Sequence, residues 1–164
     1  MKRHDSQRGF FAYELYRQMK KNKDIWLLTA DLGFGMFDDI QADFPDRFVN
    51  TGAAEQSLIG IAVGLALEGK IVFCYSITPF LLYRPFEFIR NYPHHEKIPV
   101  KMVGSGRGKD YGADGFTHHC EEAKQVLDCL PNIVQYWPKE KEEVPKIVRE
   151  AIKSNQPCFI SLER

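Results

Sequence analysis

Cysteine is scarce and scattered. The four residues, Cys74, Cys120, Cys129 and Cys158, form no CxxC pair and no metal-ligand spacing. Small secreted scaffolds held by disulfides are much richer in cysteine, so a reducing compartment, the cytoplasm, is the expected location. Long apolar runs are missing too. No stretch approaches the ~20 residues of a membrane span, and the basic start MKRHDSQRGFF lacks the apolar run of a signal peptide. Net charge is absent, with 22 Lys+Arg against 22 Asp+Glu. Without a positive field, nothing favours nucleic acid or an anionic membrane as a partner. Neither GxGxxG nor GxxxxGK(S/T) occurs, which leaves a generic nucleotide-binding module unsupported.

What remains is an ordinary globular balance. The 164 residues are 44% apolar and 27% charged, which fits one domain over 1–164. A chain of this size buries roughly 70% of its extended surface on folding. Helix and strand patterns alternate, with no repeat and no linker. Phe11, Leu15 and Met19 form one apolar stripe of a helix over 8–22. Ile25–Ala30, Ile71–Tyr75, Val100–Val103, Ile133–Tyr136 and Cys158–Leu162 read as short buried strands, and Arg47–Asn50 as a weaker one. Helices are expected over 54–68, 79–91 (kinked or split by Pro85), 119–130 and 141–153. Continuous apolar strands suit a parallel sheet covered on both faces. The predicted fold is therefore a doubly wound, mostly parallel α/β sheet of about six strands. Ligands in such folds sit at the carboxyl ends of the strands, which points to 31–38, 50–56, 76–84, 104–118 and 163–164.

The segment TGAAEQSLIGIAVGLALEG (51–69) predicts a helix that is apolar on every side, hence buried, with Gly69 past its end. Gly60 and Gly64 let another backbone come close. Glu55 and Gln56 are its only strongly polar side chains before Glu68. Glu55 is readable as a first-turn acid favouring the helix dipole, worth roughly 0.3–1 kcal/mol. It is equally readable as a carboxylate presented to a ligand nitrogen for proton transfer. A capping box fails, because Gly52 stands where its Ser or Thr should be. The adjacent His94 and His95 do not share a helix face and read as a surface turn, with no metal site expected.

Two stretches carry a resemblance. FPDRFVNTGAAEQSLIGIAVGLALEGKIVF (44–73) resembles the start of the pyrimidine-binding domain of transketolases and the related deoxyxylulose-phosphate synthases. IPVKMVGSGRGKDYGADGFTHHCEEAKQVLDCLPNIVQYWP (98–138) follows a later segment of that family, with its Gly-Ser loop, Asp-Gly-x-Thr-His and Pro-Asn. The resemblance runs from about residue 8 to the end. It implies thiamine diphosphate as cofactor and a catalytic Glu55, hydrogen-bonded to ring nitrogen N1′ and driving the aminopyrimidine to its imino tautomer. By the same resemblance, Ile77, Phe80 and Tyr83 flank the pyrimidine and Asp31 lies near the thiazolium. Asp114 and a catalytic His118 meet a ketose donor, Arg164 falls near an arginine for substrate phosphate, and Arg107 is a further candidate for an anionic substrate. Without the resemblance, Phe80 and Tyr83 are ordinary core, and Asp31 and Asp114 are caps or turn residues.

Three positions depart from the family. Ile77 is aliphatic where an aromatic is usual, Gly106 replaces a histidine, and Ala113 replaces a glutamate. These put ordinary sugar-phosphate transfer in question more than cofactor binding. The Gly-Asp-Gly that holds the diphosphate through a metal is also missing, so a separate diphosphate-binding chain carrying Mg²⁺ is expected. The natural assembly is α2β2, with this chain as a homodimer inside it. The expected reaction is transfer of a two-carbon ketol unit between sugars. A deoxyxylulose-phosphate-synthase-like or 2-oxo acid decarboxylating subunit, and a non-catalytic regulatory or scaffolding subunit, are the alternatives.

Overall fold

Six short strands pair side by side and all run the same way. The computed structural model describes residues 1–164, with β1 at Ile25–Thr29, β2 at Phe48–Asn50 and β3 at Ile71–Ile77. After these come β4 at Lys101–Ser105, β5 at Val134–Tyr136 and β6 at Cys158–Leu162. The sheet order is β2-β1-β3-β4-β6-β5, parallel throughout. Each strand is a nearly unbroken apolar run because both its faces are covered. In β3, Phe73 and Tyr75 face one side and Val72 and Cys74 the other, all fully buried.

On the first side lie α1 (Gln7–Lys21) and α7 (Val144–Lys153). The stripe Phe11, Leu15 and Met19 packs there with Val144 and Val148 over Phe73 and Tyr75. Phe11 stacks on Tyr75 with ring centres 6.0 Å apart. Buried Glu14 ties the two helices together through Arg149, 3.0 Å away. On the second side lie α3 (Glu55–Leu67), α4 (Thr78–Tyr83), α5 (Phe86–Ile89) and α6 (Ala123–Asp128). Leu58, Ile59, Leu81 and Leu127 cover Val72, Met102 and Phe159 there. Each such side chain contributes roughly 1.5–3 kcal/mol on burial.

Several boundaries differ from the sequence expectation, each for a visible reason. A short α2 (Asp38–Asp43) follows β1 where the sequence reading assigns no element. Pro85 splits 79–91 into α4 and α5, and a π-helical turn (Arg90–His95) holding Pro93 follows. Helix 119–130 shrinks to α6, because Cys120 instead bridges to Gly108 through its N–H at 2.9 Å. The first turn of the 141–153 helix is 3₁₀, closed by a reciprocal Glu140–Glu143 capping box. Strands β3 and β4 run two residues further than expected, to Ile77 and Ser105.

Helix α3 is only half covered, which corrects the reading of it as buried all round. Leu58, Ile59, Ala62, Val63 and Ala66 face the sheet, while Ile61 and Leu67 stand open, Leu67 at 68% exposure. The helix lies on one face of the sheet, and its outer side has no neighbour within this chain. Gly69, at φ +78°, ends it, donating to the Ala66 carbonyl at 3.0 Å.

Candidate functional site

Topology selects one place on this sheet. From β1 the chain turns to β2 on one side and then crosses to β3 on the other. The crevice past the carboxyl ends of β1 and β3 is thus a switch point, where parallel sheets take ligands. Asn50, at the end of β2, shapes its floor. Its side-chain oxygen accepts from the N–H of Asp31 (2.9 Å) and of Gly52 (3.0 Å), holding the loops after β1 and β2 together. Asp31 itself sits at φ +50°, a left-handed conformation that costs a non-glycine residue free energy and clusters at functional sites.

A cavity of about 180 Å³ opens at this point, lined by Asp31, Glu55, Ser76, Ile77, Phe80 and Arg84 among others. Glu55 is the first residue of α3 and is 3% exposed. Its position in the first turn of the helix favours negative charge there. Ser76 donates to one carboxylate oxygen at 3.4 Å, and Arg84 Nη1 donates to the other at 3.0 Å. A dipole-favouring acid at a helix start needs no burial; this one is turned inward at a cavity. Ile77, the last residue of β3, forms an aliphatic wall. Phe80 presents its ring to the same cavity, and the His118 ring meets it edge-on, centres 4.8 Å apart.

The structure thus brings together Asp31, Glu55, Ile77, Phe80 and His118. It does not bring Tyr83 to the cavity. Tyr83 packs against the apolar cluster on the second side of the sheet, whereas Phe80 lines the cavity. Its hydroxyl is buried with no hydrogen-bond partner, and burial, reinforced by the Glu122 charge, pushes its phenol well up. Asp114 and Phe116 lie in exposed turns leading to His118, with Phe116 85% exposed.

Arg107, the further candidate for an anionic substrate, is bonded within the chain. Its guanidinium is committed to the Ser161 hydroxyl (3.1 Å), the Ser161 carbonyl and Glu163 (2.9 Å). Arg164 is exposed, with its guanidinium carbon 4.6 Å from the centre of the Tyr111 ring. His94 and His95 sit in the π-helical turn, and the Asn132 N–H reaches His94 Nδ1 at 3.4 Å. No group of three or more His, Cys, Asp or Glu is placed to hold a metal ion.

Gly106 has a local explanation. Its φ is +84°, and the Tyr111 ring occupies the space that a side chain would need. The Tyr111 hydroxyl is fixed to Ser105 Oγ at 2.8 Å. Sequence reasoning missed Arg84, Ser76 and Asn50. It also missed a larger cavity of about 540 Å³ that shares Leu32 with the first. Arg8 and Tyr75 line it, and Arg8 Nε and the Tyr75 hydroxyl are buried without partners.

Comparison with known proteins agrees with this fold. The family model "Transketolase, pyrimidine binding domain" matches residues 6–164. The chain belongs to the transketolase pyrimidine-binding-domain family. A putative transketolase C-terminal section of Methanocaldococcus jannaschii is 35% identical over 88% of this chain and 46% of its own length. An apulose-4-phosphate transketolase subunit of Actinobacillus succinogenes is 37% identical over 74% of this chain and 39% of its own. Among solved structures, a split-gene transketolase, described as an inactive beta4 tetramer, superposes with a TM-score of 0.86. It is 31% identical over 98% of this chain and 52% of that one. The chain thus spans about half the length of these relatives or less. No helix is long and apolar enough to cross a membrane.

Proposed function

We propose that this chain is the aminopyrimidine-binding part of a thiamine-diphosphate enzyme of transketolase type, one that moves a two-carbon ketol unit from a ketose to an aldehyde. The observation that carries the reading is Glu55, a buried carboxylate at the switch-point cavity with Phe80 and Ile77 beside it. The cavity and its donor set fit a small planar nitrogen heterocycle: one fixed acid, one aromatic face and one aliphatic wall. When bound, the cofactor supplies the carbon nucleophile, and the protein supplies position and proton control. Glu55 would hold a proton at the ring nitrogen, Phe80 and Ile77 would bound the ring faces, and Asp31 would stand near the thiazolium. His118 and Asp114 would meet the ketose at the mouth. The unpartnered polar atoms of Arg8 and Tyr75 make the larger cavity the better place for a charged substrate end than Arg107.

The diphosphate and its Mg²⁺ are assigned to a separate chain, since a hard dication wants several oxygen ligands and no acidic cluster here offers them. Relatives named as a transketolase subunit and as a split-gene transketolase support that division. The open face of α3, with Ile61 and Leu67, is assigned to a second copy of this chain within an α2β2 assembly. Four free thiols suit a cytoplasmic location. The departures at Gly106 and Ala113 keep a non-catalytic role as the second reading.

Titration with thiamine diphosphate and Mg²⁺, of this chain alone and then mixed with the diphosphate-binding chain, tests the proposal. Binding and ketol transfer only in the mixture are expected. Full turnover by this chain alone would overturn it. Cofactor binding without turnover in the mixture would favour the non-catalytic role.

A further inference from the structure

Arg84 stands inside the cavity and belongs to no role described so far. Its Nη1 donates to the buried Glu55 carboxylate at 3.0 Å, and its guanidinium carbon lies 3.7 Å from the centre of the Phe80 ring. One side chain therefore engages both the acid and the aromatic face that a bound pyrimidine would need. The chemistry is matched as well. A guanidinium and an aminopyrimidine are both planar, both share a proton with a carboxylate (the guanidinium through its N–H, the ring through a nitrogen), and both lie against an aromatic ring.

We propose that Arg84 is a resident occupant of the pyrimidine site, holding the place between Glu55 and Phe80 until an aminopyrimidine displaces it. The proposal rests on the reading of Glu55 given above and adds a competitor for its ligand. The two partners differ in freedom. The Glu55 side chain is 2% exposed and fixed at the start of α3, whereas that of Arg84 is 47% exposed at the junction of α4 and α5. The acid stays and the cation has solvent to move into.

Two consequences follow physically. In the empty chain Arg84 pairs a buried charge that would otherwise be uncompensated. In the binding reaction it lowers the apparent affinity by the fraction of molecules in which it has swung out. It also sets a selection rule: a ring with no nitrogen placed to share a proton with Glu55 does not replace what it removes.

The test measures binding of thiamine diphosphate with Mg²⁺ by calorimetry in the two-chain mixture, for wild type, Arg84→Ala, Arg84→Gln, Arg84→Lys and Glu55→Gln. Thermal unfolding of each empty chain is followed alongside, and circular dichroism confirms folding. Arg84→Ala and Arg84→Gln are expected to bind about three- to tenfold tighter, with faster association, and to melt at a lower temperature when empty. Arg84→Lys, which keeps the charge and loses the planar stack, is expected to fall between them and wild type. Unchanged or weaker binding in both folded neutral variants overturns the occupant. Glu55→Gln separates this failure from that of the underlying reading. Loss of binding there with no gain at Arg84 removes only the occupant, while undiminished binding removes the pyrimidine site itself.

Discussion

The ring of Tyr111 stands where a side chain at Gly106 would have to go. By the family resemblance Gly106 stands where a histidine is usual, and here a Cβ at that position would meet the Tyr111 ring. Restoring the histidine is therefore expected to damage the fold without restoring a family activity. Gly106→His would need a left-handed backbone and displacement of a tyrosine hydrogen-bonded to Ser105. Thermal and urea unfolding should show a loss of about 1–3 kcal/mol. A Gly106→His protein as stable as wild type would refute the steric account.

Glu55→Gln keeps the size of the side chain and removes its charge. If Glu55 manages the proton at the pyrimidine, ketol transfer in the two-chain mixture should fall by about 10²–10⁴-fold, the usual contribution of a positioned acid or base. The variant should still fold, because Arg84, its partner, is half exposed. Wild-type rates would sink the assignment.

His118 lies in a turn carrying little of the core, and its ring rests on Phe80. His118→Ala should change stability by no more than about 0.5 kcal/mol. Steady-state kinetics should show a lower kcat/KM for the ketose donor, with cofactor affinity close to wild type. A loss confined to cofactor affinity would move His118 out of the substrate channel.

The outer face of α3 predicts self-association. Leu67→Asp with Ile61→Asp places two charges at exposed apolar positions that have no cover within the chain. Sedimentation velocity should show a shift to smaller species, with the circular dichroism spectrum unchanged. If wild type is already monomeric at high concentration, this face is not an interface between copies.

Alkaline pH should weaken the fold in a defined window. Burial pushes the Cys120 thiol up to about 11, with the Glu122 charge adding to it, and pushes Cys158 up to about 12. Burial pushes Cys74 up further still. An unfolded cysteine ionises near 9.0. Above that pH the folded chain holds more protons than the unfolded one, so stability present below 9.0 is lost as pH rises through the folded values. Lys101 works against this, because burial lowers its pKa below 10.5 and the unfolded chain then binds the extra proton. Three thiols outweigh one amine, and the urea midpoint should fall from pH 9 upward. Iodoacetamide at pH 8 should label exposed Cys129 and spare the other three; labelling of Cys74 in the native chain would contradict its burial.

Much of the architecture was legible because parallel strands, buried on both faces, write themselves as short apolar runs. Ile25–Ala30, Ile71–Tyr75 and Cys158–Leu162 needed no context. Strand ends then pointed to the cavity, and Glu55 stood out as an acid on an apolar helix. What escaped depends on contacts across the chain. Arg84 meets Glu55 from 29 residues away, and no local pattern marks that pairing. Tyr83 shares a spacing with Phe80, but only the packing of each side chain shows that the two diverge. The open side of α3 was invisible for the opposite reason: composition cannot distinguish cover by the same chain from cover by another. The commitment of Arg107 to Ser161 and Glu163 likewise exists only once β6 lies beside the loop after β4.

The segment from Gly112 to Thr117 is exposed at every residue and contributes nothing to either apolar cluster. Apart from Gly115, whose φ of +83° favours glycine, its side chains are therefore free to change at little cost in stability, while Asn50 and the strand termini keep the crevice in shape. A chain built this way can change the chemistry of that exposed rim through a handful of surface replacements. Such changes leave the scaffold intact, as the exposure of Ala113 outside both apolar clusters illustrates.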